Sequence, residues 1–63
     1  MQTGVEVNLI GMDGNVFYII GTVVRALRRA KLHDEALNYQ ESAIICKSYE
    51  EVLALTMDTV EIV

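Results

Sequence analysis

The residues of this chain that could carry chemistry are few and scattered. It has one histidine, His33, and one cysteine, Cys46. A Cys–His nucleophile needs the two side chains in contact and a third group orienting the base, and nothing in their spacing suggests that arrangement. Beside Ile44 and Ile45, Cys46 reads as a small buried hydrophobe, and His33 as a loop residue. The carboxylate pairs Asp34/Glu35 and Glu50/Glu51 have the composition for acid–base work. Each pair opens a helix, however, and acids are expected there because they complement the helix dipole. A structural zinc site lacks its four Cys/His ligands, and Asp13 with Asn15 falls short of the alternating acids and terminal glutamate of a calcium loop. No catalytic residue, metal or cofactor is expected, and the chain reads as a non-enzyme.

Two surfaces remain. Gly11-x-x-Gly14-Asn15 leads into a helix, and such a turn can cradle a phosphate on free N–H groups. It matches neither the P-loop nor the dinucleotide fingerprint, so Gly11, Asp13, Gly14 and Asn15 are read as a strand-to-helix turn with its cap. A small-ligand site assembled there from several chains is the weaker reading. Four of the five basic residues, Arg25, Arg28, Arg29 and Lys31, fall within seven positions. With Tyr18 on the same helix they are the candidate partner-binding surface, able to grip phosphates or an acidic protein. The plainer reading is a solvated face paired with neighbouring acids such as Asp34 and Glu35.

The elements that would position these residues follow from the hydrophobic pattern. Val5, Val7 and Leu9 alternate with Glu6 and Asn8, which predicts a strand over residues 5–10. Phe17, Ile20, Val24 and Leu27 recur at helical spacing, flanked by Ile19, Val23 and Ala30, which predicts a core helix from Val16 to about Leu32. Tyr18, Thr22, Arg25 and Arg29 make its opposite face. Gly21 interrupts this helix at a cost of ~1 kcal/mol relative to alanine, which suggests that another backbone approaches closely there. A second helix is predicted from His33 or Asp34 to about Ile45, with Leu37, Ile44 and Ile45 inward, helped by Ala36 and Ala43. Ser48-x-x-Glu51 forms a capping box opening a third helix that buries Val52, Leu53, Thr56 and Met57. Thr59 to Val63 is β-branched and alternating, the mark of a second strand.

Two terminal strands are unstable apart. The expected fold is therefore one α+β domain over residues 1–63, with a two-stranded sheet from the chain termini packed against three helices (β-α-α-α-β). The helices would cover Val5, Val7, Leu9, Val60 and Ile62.

Size and composition bound the function. A domain of 63 residues buries barely ~60% of the surface of its unfolded chain, and a lone cysteine allows no intrachain disulfide. The hydrophobic fraction of 52% excludes disorder and leaves apolar surface to share, so a homo-oligomer, dimer or larger, is expected. No apolar run approaches the ~20 residues of a membrane span. The N-terminus has no signal-peptide pattern, and with a free thiol the expected address is the cytoplasm. A net charge of −4 argues against a dedicated nucleic-acid binder, although the arginine-rich segment keeps that alternative open.

The segment Leu9-Ile10-Gly11-Met12-Asp13-Gly14-Asn15-Val16-Phe17, followed by Ile20-Gly21 and Arg25-Ala26-Leu27-Arg28-Arg29-Ala30, resembles a family of short uncharacterised proteins common in bacteriophage and bacterial genomes. Their pattern is a strand, an Asp-Gly-Asn-Ala-Phe turn, an arginine-rich helix, an acidic helix and a tyrosine-containing segment before a short final stretch. The resemblance spans most of the chain. Val16 stands where that family has a small residue, and Cys46-Lys47-Ser48-Tyr49 where it tends to have Gly-Asp-Tyr. It implies that the Asp13-Gly14-Asn15 turn matters and carries no activity. The expected function is a small interaction or modulator protein of phage or mobile-element type that acts as a homo-oligomer and binds a macromolecule.

Overall fold

The structure, a computed structural model, describes residues 2–9 and 15–63. Its elements are β1 (Glu6–Val7), α1 (Val16–Arg29), α2 (His33–Ile44), α3 (Tyr49–Thr59) and β2 (Glu61–Ile62). This is the α+β arrangement expected of the sequence, with both strands shorter than the alternating segments that contain them. Thr59, expected to begin the last strand, instead ends α3.

The two strands pair in parallel, Glu6 opposite Glu61 and Val7 opposite Ile62. Parallel neighbours need a long crossover, and here all three helices lie within it. Glu61 N donates to Val5 O at 2.8 Å and Val63 N to Val7 O at 3.0 Å. Ahead of the strand, the amide and the hydroxyl of Thr3 both donate to Thr59 O, each at 2.8 Å. Gly4 between them has φ +78°, a left-handed conformation that a side chain would strain.

Helix α1 begins at Asn15, whose side-chain oxygen accepts from the amides of Phe17 at 2.9 Å and Tyr18 at 3.3 Å. That satisfies two of the otherwise unbonded donors of the first turn. The helix buries Ile19, Val23, Val24 and Leu27. Phe17 and Ala30, expected on or beside this face, are exposed. The apolar arc of α1 is wide enough that the core-facing line could run through Phe17 or through Ile19, and packing selects Ile19-Val23-Leu27. The helix stops with Lys31 at φ 64°, where Leu32 N donates to Leu27 O and Lys31 N to Arg28 O, each at 2.9 Å. This is a Schellman turn with lysine in the place that glycine usually takes.

Helix α2 turns Ala36, Tyr39 and Ala43 inward. Leu37, Ile44 and Ile45, expected to face the core, are exposed. The two alanines let α2 approach α1 closely, and the tyrosine fills the space towards α3. Helix α3 buries Val52, Thr56 and Thr59, while Met57, expected inside, is exposed. Its cap differs in one bond from a full capping box. Ser48 Oγ accepts from Glu51 N at 3.2 Å, but the Glu51 carboxylate accepts from Lys47 N at 3.0 Å rather than from Ser48.

The core joins Val7 and Val60 of the strand segments to Ile19, Val23 and Leu27 of α1, Ala36, Tyr39 and Ala43 of α2, and Val52 of α3. Ile62, expected on the covered face, is exposed. Among the described residues Gly21 serves no close packing, because a Cβ built there meets nothing within 4 Å.

Candidate functional site

The structure places the arginine-rich face as the sequence implied. Tyr18, Arg25 and Arg29 lie at spacings of seven and four residues along one side of α1, and all are exposed. The Thr22 hydroxyl between them donates to Tyr18 O at 2.8 Å. Arg28 and Lys31 are also exposed, Arg28 in the last turn of α1 and Lys31 beyond the helix end. Arg28 and Arg29 therefore sit where cations offset the negative end of the helix dipole. Gly11, Asp13 and Gly14 lie outside the described residues, and Asn15 is a helix cap. Ser48 and Glu51 are likewise committed to capping α3. Among the described residues no group of three or more His, Cys, Asp or Glu side chains is placed to hold a metal ion, and no helix is long and apolar enough to cross a membrane.

The feature that sequence reasoning missed lies at the other end of α1. An open groove of about 650 Å³ runs between the first turn of α1, the end of α2 and the start of α3. Val16, Phe17 and Ile20 form one wall, and Ala43 and Ile44 another. The short link through Cys46 and Lys47 leads to Tyr49 and Val52, which complete it. Its volume falls in the ~300–1,000 Å³ range of small-molecule pockets. A second hollow, near Glu35, Asn38 and Ser42, measures only about 170 Å³.

The groove exists because three local decisions coincide. Asn15 caps α1 just ahead of Phe17, fixing the start of the helix. The turn at Ile45 and Cys46, where Cys46 N donates to Ala43 O at 3.2 Å, ends α2 with Ile44 pointing away from the core. Ser48 then starts α3 at Tyr49. The thiol of Cys46 donates to Ser42 O at 3.4 Å and is half-buried in the groove. The sequence carries the signal as an excess of apolar residues at these helix ends, but helical spacing assigns Phe17, Ile20 and Ile44 to the core and gives Tyr49 no place.

No family model, no curated protein and no solved structure matches this chain.

Proposed function

We propose that this chain is a small non-enzymatic interaction module that works as a homo-oligomer and binds a macromolecule. One observation carries the reading. Phe17, Tyr18, Ile44, Ile45 and Tyr49 are all exposed, and three of them line a single groove. Single exposed apolar residues are ordinary on any protein surface, whereas grouped ones mark a surface meant to be covered. The phage or mobile-element setting, as an accessory or modulator protein, rests on the sequence resemblance alone.

Light scattering across the micromolar range tests the reading. A mass above 7.0 kDa that grows with concentration is the expected result. A strictly monomeric protein would remove the homo-oligomer from it.

A second reading, nucleic-acid binding through Arg25, Arg28 and Arg29, is favoured by their common exposure on the side of α1 away from the core. Three phosphate contacts on a duplex give a logarithmic salt slope of about −2.7, a loss of roughly 40-fold in affinity between 50 and 200 mM salt. Anisotropy of a labelled duplex measures this, and binding that ignores salt would eliminate the reading.

A further inference from the structure

We propose that the groove is the contact between two copies of this chain, each inserting its Phe17 into the groove of the other about a two-fold axis. The inference rests on the homo-oligomer reading above and adds the surface and the symmetry.

Three observations support a second copy as the occupant. The first is self-complementarity. A two-fold interface must be built from one patch that fits itself, and this patch holds both a cavity and a projecting apolar side chain. Phe17 is 83% exposed on the groove's own wall, with Ile44 at 69% on the facing one.

The second is area. At ~150–250 Å² for a whole aromatic side chain, the exposed parts of Phe17 and of Tyr49, which is 41% exposed, offer roughly 200–300 Å². Ile44, 69% exposed on the facing wall, adds to this. This apolar centre is about a third of the ~800 Å² per partner of an ordinary stable interface, and Gln40, Lys47 and Ser48, which also line the groove, are the polar residues placed to surround it.

The third is Gly21. It lies one helical turn beyond Phe17, on the same side of α1, and the space over it is open. A mid-helix glycine costs about 1 kcal/mol, and no close packing among the described residues calls for it. A second copy lying across the Phe17–Gly21 side of α1 gives the missing side chain a purpose.

Cys46 is a built-in reporter, since it is the only thiol and sits in the groove. Light scattering and alkylation of Cys46 by iodoacetamide are followed together over the same concentration series. The expected result is a species of about 14 kDa, twice 7.0 kDa, in which the alkylation rate falls as dimer forms. Phe17→Asp is chosen because Phe17 is outside the core and an acid in the first turn of a helix is favourable. It should weaken dimerisation on the order of 30-fold, the effect of losing a central aromatic anchor, and should restore fast alkylation. Met57→Asp, at an exposed apolar residue on α3 that does not line the groove, should leave the dimer unchanged.

A dimer that survives Phe17→Asp, with Cys46 alkylated at a rate independent of concentration, overturns the groove assignment and leaves the oligomer reading standing. A monomer at every concentration overturns both. A monomer whose Cys46 is protected only by an added leucine-rich amphipathic peptide would assign the groove to a different chain and overturn the second copy.

Discussion

The hydroxyls of Tyr39 and Thr56 lie 2.7 Å apart in the core, 17 residues apart in sequence. The Thr56 hydroxyl donates its only proton to Val52 O at 2.7 Å, so the Tyr39 hydroxyl is the donor between the two. The order of protons is therefore Tyr39 to Thr56 to the Val52 carbonyl. Among the described residues no buried side-chain polar atom is left without a partner. Tyr39→Phe should lower stability by about 1 kcal/mol, the usual net worth of one hydrogen bond. Thr56→Val strands the phenol in the core and should cost about 1–3 kcal/mol. The double variant should lose less than the sum of the two. Urea denaturation of the three variants measures all of this.

The same tyrosine makes the fold sensitive to alkali. Burial pushes the Tyr39 hydroxyl above its ordinary 10.0, and the nearby Cys46 adds to the rise. The folded state thus holds the phenolic proton more tightly than the unfolded chain does. That stability is fully present below about pH 10 and is lost as pH rises through the folded pKa. Denaturation midpoints taken from about pH 9 to 11 should fall less steeply for Tyr39→Phe than for the parent chain. Equal slopes would show that Tyr39 does not control the transition.

Lys31 holds a backbone conformation that suits glycine. A side chain in the left-handed region costs roughly 1–2 kcal/mol, partly offset by the greater unfolded freedom of glycine. Lys31→Gly should therefore stabilise the protein, by about 0.5–1 kcal/mol. Thermal unfolding of the variant decides the matter, and a lower midpoint would contradict the assigned turn.

The helix caps are separable. Asn15→Ala and Ser48→Ala should each cost about 1 kcal/mol. Their effects should add, because the two residues cap different helices. Chemical denaturation of the single and double variants would expose any coupling.

Much of the architecture was legible from residue types. Asn15 and Ser48 announced the starts of α1 and α3, and the alternation around Val7 and Val60 marked the terminal strands. The apolar spacing located α1 and its exposed Tyr18-Arg25-Arg29 side, although the helix ends at Arg29, short of the expected Leu32, because Lys31 turns the chain into the left-handed region. What escaped was which apolar residues go inside. In α2 the bulky Leu37 and Ile44 outweigh Ala36, Tyr39 and Ala43 on any hydrophobicity count. The smaller set wins because alanine permits close approach to α1 and because Tyr39 finds Thr56, a long-range pairing that local pattern does not encode. The groove was hidden for the same reason, since Phe17, Ile44 and Tyr49 meet only after α1, α2 and α3 have packed.

The parallel pairing of the two ends also fixes how the molecule answers tension. A pull applied at Gln2 and Val63 draws the two strands past one another along their length instead of peeling them open. The bonds from Thr3 to Thr59, Glu61 to Val5 and Val63 to Val7 are then stretched together, and none yields before the others. For so slight a ribbon, that shear geometry makes it the mechanical latch of the whole helical bundle.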